Sequence, residues 1–292
     1  METIREGKDI IKVCNEENIP IWELITRYEM EKSEKTREDI RGYMKEALHV
    51  MEDSAKKALE DGNEEIRGKI IGGEAKKLKK YYETNKNVCG KTMAKAVSYA
   101  LSTMEVNASM GKIVAAPTAG SCGVLPAVIL SLKDTYDLDE EKLIDFLLVS
   151  SAIGMVIGKN ATLSGAEGGC QAEVGSASAM AAGAAVAVLG GSVEQSFHAG
   201  AMALKNILGL VCDPIAGLVE SPCSKRNAIG TANALVCAEM ALAGIESVVP
   251  FDEVVIAMKR VGRELPCALR ETALGGVAVT PTALEITKKI FG

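Results

Sequence analysis

Aromatic side chains are scarce in this sequence. They make up 4% of its 292 residues, and Trp22 is the single tryptophan. That scarcity disfavours base-stacking and carbohydrate platforms, which rest on aromatic faces, and leaves alanine, leucine, valine and methionine to fill a core. Positive charge is not in excess either. The formal net charge is −6, so no basic face is expected for a nucleic-acid partner, whose phosphates require one. Long apolar runs are missing. The two stretches nearest to one, residues 146–157 and 175–191, fall short of the roughly 20 residues of a membrane-spanning helix. Both read as buried helices, and no membrane association is expected.

What is present points to a soluble, helical protein. Hydrophobic residues make up 48% and charged ones 25%, the balance of a globular chain long enough to bury a sizeable core. The amino terminus, "METIREGKDIIKVCNEE", mixes charges throughout and reads as no signal peptide. Eight cysteines without such a signal predict a reducing compartment, the cytoplasm, and thiols or metal ligands rather than disulfides.

One helical domain over residues 1–292 is expected, with a charged amino-terminal part (1–88) and a tightly packed core (89–292). Thr36 and Asp39 frame a capping box that opens a long amphipathic stretch. Residues 72–86 and 90–106 also read as helix. Lys76, Lys77, Lys79 and Lys80 form the one basic cluster, read as a solvated helix face. From about residue 108, glycine, alanine, serine and proline become common. Helical patterns run over 139–159, 173–189, 192–208, 225–242 and 252–264. Connectors such as "AAPTAGSCG", "ATLSGAEGGC", "CDPIAGLVESPC" and "GGVAVTPTA" join them. No run alternates at period two for long, so the fold class is mainly α. Gly175, Ala179, Gly183, Ala187 and Gly191 recur every four residues, which on a helix makes one small-residue face for close packing.

Cys14, Cys89 and Cys237 lie in or beside helical patterns and read as inert thiols; Cys267 is ambiguous. Cys170, Cys212 and Cys223 differ, because each sits in a connector at the end of a helical segment. Their spacing, 42 and 11 positions, matches neither a zinc knuckle nor a ferredoxin run, so spacing alone leaves core thiols and metal ligands both open. Three thiolates without a fourth would suit an iron–sulfur cluster with one exposed, Lewis-acidic iron. "APTAGSCG" supplies a second element. Thr118, Ser121 and the N–H groups around Gly120 can form an anion-binding nest before a helix near Cys122, or an ordinary capped turn.

"APTAGSCGVLPAV", "NATLSGAEGGCQAEVGSASAMAA", "LKNILGLVCDPIAGLVESPCSKRNA" and "LRETALGGVAVTPTA" together resemble the iron–sulfur-dependent L-serine dehydratases. They resemble most closely the α chain of the form whose α and β parts are separate polypeptides. The likeness is strong over residues 90–290 and looser before them. It implies a helical fold, and a [4Fe–4S] cluster held by three cysteines that match Cys170, Cys212 and Cys223. It implies β-elimination of L-serine to pyruvate and ammonia without pyridoxal phosphate, with the open iron acting as Lewis acid on the serine hydroxyl. The partner it implies is a separate β chain, in a hetero-oligomer. Within that resemblance Thr118 and Ser121 are expected to hold the substrate carboxylate, and the N–H groups of Gly168 and Gly169 to face the cluster. Lys225 and Arg226 are expected to hold substrate or balance the cluster's charge, with surface charge as their alternative. No residue of this chain is assigned as general base. His49 and His198 read as structural, and the base is expected on the β chain. The resemblance also implies that some single-chain relatives end in a cysteine that blocks the open iron; this chain ends "EITKKIFG", so that block is not expected, and nothing favours Cys122 or Cys267 in its place.

Three rivals remain at this point. One is a related cluster lyase acting on cysteine. Another is a pyridoxal-dependent lyase, suggested by Ser33, Lys35 and Arg37 in an S-x-K-x-R pattern. The third is a non-catalytic helical scaffold.

Overall fold

The computed structural model describes residues 4–84 and 86–292. Met1, Glu2, Thr3 and Asn85 lie outside the described residues, and with them the start of the amino-terminal stretch and one position of the 72–86 stretch expected as helix. Four helices build the amino-terminal part, α1 (Gly7–Glu17), α2 (Ile21–Ser33), α3 (Arg37–Lys57) and α4 (Glu74–Tyr82), and α5 (Gly90–Ala108) opens the core. Eight follow: α6 (Val124–Tyr136), α7 (Glu140–Asn160), α8 (Gly165–Gly168), α9 (Ser176–Val188), α10 (Val193–Asn206), α11 (Cys223–Leu242), α12 (Phe251–Glu264) and α13 (Pro281–Phe291). No strand occurs among the described residues, and the mainly α class holds. Two isolated bridges, Arg67 with Gly72 and Cys212 with Arg270, are the β-type pairings found there.

Local chemistry sets the helix starts. Thr36 Oγ1 accepts from Asp39 N at 3.2 Å, and Asp39 Oδ2 accepts from Thr36 N at 3.0 Å, so the capping box opens α3. Ser192 and Gln195 do the same for α10, and Asp139 caps α7 through Lys142 N. On α12 the buried residues are Phe251, Val254, Val255, Met258 and Gly262, the spacing of one apolar face laid on a core.

At the centre lies α9. Every residue from Ser176 to Val188 is buried, because α7, α10, α11 and α6 surround it. Ala179, Gly183 and Ala187 lie along it as expected, and the helix is enclosed on all sides, as an apolar helix without a polar face must be. Gly191 falls beyond its end. Gly183 is where close approach is tightest, since a Cβ there would stand 2.7 Å from Ser196 O and collide with the Ile153 side chain. The stretches tested as membrane spans are α7 and α9, and no helix of the described residues is long and apolar enough to cross a membrane.

The pattern read as one helix over 173–189 begins instead as a π-turn, Gln171–Gly175, that runs into α9. A π-turn widens the helix by one residue and often marks a functional site. Here it follows Cys170 directly.

Candidate functional site

Cys170, Cys212 and Cys223 come from three separated connectors and are all buried, at 2%, 4% and 6% exposure. A single residue near each cysteine locks its connector to another. Gln171, next to Cys170, donates its backbone N–H to Leu210 O at 3.0 Å. Its side-chain amide is wholly used: Oε1 accepts from Gly209 N, and Nε2 donates to Gly168 O and Met258 O. Arg226, one helical turn after Cys223, donates to Val211 O at 2.8 Å and pairs with Asp213 at 2.8 Å, which brackets Cys212. Asn227 donates to Gly120 O and Cys223 O and accepts from Gly123 N, tying the third cysteine to the Thr118–Ser121 loop. Cys212 itself is held by its N–H to Leu269 O and its carbonyl to Glu271 N.

The thiols feel one another. Burial pushes Cys170 and Cys223 each up to about 12, with Glu173 adding to both and Arg226 opposing. Cys212 is raised further, by burial first and then by Cys170 and Glu173. Without a metal these are neutral thiols. Among the described residues no three His, Cys, Asp or Glu side chains gather closely enough to grip a single ion.

A cavity of about 480 Å³ opens beside the cysteines, lined by Cys212, Cys223, Thr118, Ser164, Glu173 and Glu271 among others. Glu173 is its inner wall. Thr118 Oγ1 donates to Glu173 Oε1 at 2.7 Å, and Cys212 Sγ lies 3.8 Å from Glu173 Oε2. Burial raises the Glu173 carboxyl, the Thr118 hydrogen bond opposes that, and the charge of Glu271 adds to it. Two glycines make room for this carboxylate. A Cβ on Gly120 would stand 2.9 Å from Glu173 Oε1, and one on Gly165 would stand 2.5 Å from Oε2 and 3.2 Å from Cys212 Sγ.

Of the four residues expected to bind substrate, Thr118 lines this cavity and three do not. Ser121 is buried behind it, its Oγ 3.2 Å from Thr118 Oγ1, in a 3₁₀ turn that precedes α6. Lys225 points outward to an ion pair with Glu74, and Arg226 is spent on Val211 and Asp213. The N–H groups of Gly168 and Gly169 are committed as well, to Ser164 O and Gly165 O at 2.9 Å each, so the expectation that they face a cluster is corrected. His49 is exposed against Glu140, and His198 accepts from Ser247 N at 3.3 Å; neither lines the cavity. Cys122 is buried with Cys223, Met104 and Ile71, while Cys267 is exposed. Lys35 sits in the exposed connector before α3, where Thr36 is a helix cap.

Glu173, Gln171, Glu271 and Asn227 were not singled out from sequence. For the first a signal existed: Glu173 stands three positions after Cys170, one helical turn, which puts both on one side of a helix start.

Comparison with known proteins agrees with the motifs. The family model described as serine dehydratase alpha chain matches residues 16–278. A Bacillus subtilis protein named probable L-serine dehydratase, alpha chain, is 50% identical over 288 residues, covering 99% of this chain and 95% of the relative. The L-serine dehydratase alpha chain of Peptoniphilus asaccharolyticus is 50% identical over 285 residues, covering 98% and 97%. The L-serine dehydratase of Streptomyces coelicolor is 36% identical over 283 residues, 94% of this chain and 60% of the relative. With a family model spanning most of its length and half its residues shared with two alpha chains, this chain belongs to the serine dehydratase alpha chain family.

Proposed function

We propose that this chain is the cluster-bearing part of an L-serine dehydratase, a lyase that converts L-serine to pyruvate and ammonia. The observation that carries the reading is the cavity in which Cys212 and Cys223 share a wall with Thr118 and Glu173. Cys170, Cys212 and Cys223 would hold a [4Fe–4S] cluster. The donor set fits: three sulfurs and no imidazole suit iron–sulfur chemistry, and a cubane needs its thiolates further apart than a single ion does, because each binds a different iron. Arg226 opposes the upward shift of Cys170 and Cys223 and so favours the thiolate form that ligation requires. When bound, the cluster supplies a Lewis-acidic iron for the serine hydroxyl.

The chain's own residues orient the substrate. Ser164 presents a hydroxyl to its carboxylate, Glu271 presents a carboxylate to its ammonium group, and Thr118, whose proton goes to Glu173, turns the lone pairs of its oxygen to that ammonium group. Glu173 fixes Thr118 at one oxygen and approaches Cys212 with the other, which sets the distance between substrate and sulfur wall. Loss of the α-proton to a base, with cleavage of the Cβ–O bond and departure of hydroxide, leaves aminoacrylate. Its imine tautomer hydrolyses to pyruvate and ammonia. Neither histidine of this chain lines the cavity, and we assign the base to a β chain, the kind of partner that the words "alpha chain" in the relatives' names imply for them.

Anaerobic purification tests this. Protein that is brown, with a broad absorption bleached by air, and that forms pyruvate from serine once a β chain is added is the expected result. Cys212→Ala should lose that absorption and its iron while keeping its helical circular dichroism. Full iron and activity in Cys212→Ala would overturn the ligand assignment.

A further inference from the structure

A second cavity, of about 470 Å³, lies against the first and shares Thr162 and Glu167 with it. Its distinguishing feature is charge. Lys259 and Arg263, one turn apart on α12, and Arg270, from the segment after it, all line its wall. Among the described residues none of the three pairs with a carboxylate. Lys259 Nζ donates to Asn160 O at 2.9 Å, which satisfies one of its protons and none of its charge. Glu167 is the single acid on the wall, and Thr162 Oγ1 donates to its Oε2 at 2.6 Å.

Cations gathered in one concavity repel one another, and their field concentrates anions there. The carbonyl end of α12 accounts for a positive charge at Arg263, in the last turn. It does not account for Arg270, whose Nε is sealed from solvent and has no hydrogen-bond partner among the described residues. A buried donor left without an acceptor is costly, and the rest of the Arg270 side chain lines the cavity with no carboxylate to balance its charge.

We propose that the second cavity binds a small dianion, a phosphate or a dicarboxylate. Three positive side chains against one negative leave a surplus of two charges, and the guanidinium groups offer paired donors suited to oxyanions. The consequence reaches the first cavity through the backbone. Arg270 forms the bridge with Cys212, Leu269 O accepts from Cys212 N, and Glu271 N donates to Cys212 O. An anion clamped by Arg270 therefore steadies the segment that holds Cys212 and carries Glu271. This proposal does not depend on serine being the substrate next door.

Calorimetric titration of the whole chain with inorganic phosphate and with malonate, at an ionic strength held constant with chloride, tests it. Saturable one-site binding of at least one anion is expected, and the tighter of the two identifies the ligand chemistry. Arg263 is exposed and makes no ion pair, so Arg263→Glu should fold normally, as circular dichroism would verify, and should weaken binding at least ~10-fold. Glu167→Gln, which removes the opposing charge, should tighten it. No saturable binding of either anion, or unchanged affinity in Arg263→Glu, would overturn the proposal.

Discussion

Glu23 sits between two arginines. Arg37 reaches both of its oxygens, at 2.7 and 2.8 Å, and Arg27 adds a third contact at 2.7 Å. The Arg37 hydrogen bonds are the largest cause that lowers its carboxyl from the ordinary 4.5 to about 2, and partial burial opposes them. A carboxyl depressed in the folded state stabilises it fully above the ordinary value, and that stability is lost as pH falls from 4.5 toward 2. The urea midpoint should therefore drop more steeply between about pH 5 and about pH 3 in the parent protein than in Glu23→Gln. Parallel profiles would mean that the arginines do not discriminate between the two protonation states. Residue identity announced the capping box and drew attention to Thr118 and the three cysteines, because each lay in a distinctive string. It did not announce the roles of Lys225 or Ser121, since a charged or hydroxylic side chain next to a cysteine can face inward or outward with equal ease. Lys225 found Glu74, some 150 positions away in sequence.

Among the elements, α9 makes the sharpest demand. Its enclosure leaves no room at Gly183, where the Ile153 side chain lies nearest and the backbone carbonyl of Ser196 stands just behind it. A flexible side chain can yield, but a carbonyl inside another helix moves only with that helix. Gly183→Ala gains about 1 kcal/mol in helix propensity against an overpacking cost of about 1–3 kcal/mol. We expect a net loss of about 1 kcal/mol, read from urea denaturation, with α10 displaced from α9. Equal or greater stability would show that the interface is looser than drawn. Helix positions were largely legible because caps and apolar spacing are local. The exceptions are instructive. Residues 173–189 carry an uninterrupted helical pattern, yet the chain makes a π-turn at their start, where Gln171 is drawn by bonds to Gly168, Gly209 and Met258. Long-range bonds of that kind leave no periodic trace.

On the scale of the molecule, three connectors meet although 42 and 11 positions separate their cysteines. The cavity they wall holds carboxylates, hydroxyls and thiols, and no imidazole. On the proposed reading, the isolated chain turns over serine poorly. Adding a β chain from one of the two-chain relatives should raise kcat by about 100-fold or more, the contribution of a positioned general base. Full turnover by this chain alone would place the base within it and direct attention to Glu173 and Glu271.

The sequence by itself determined the helical class, the caps and the family, because those properties reside in local pattern and residue type. The tertiary structure alone decided that Glu173 and Glu271 face the same cavity as Cys212 and Cys223, that Lys225, Arg226 and Ser121 do not, and that three unpaired cations collect beside it. Such outcomes depend on which distant backbone groups a side chain meets once helices pack, and burial and hydrogen bonding fix that choice only when the whole chain has closed.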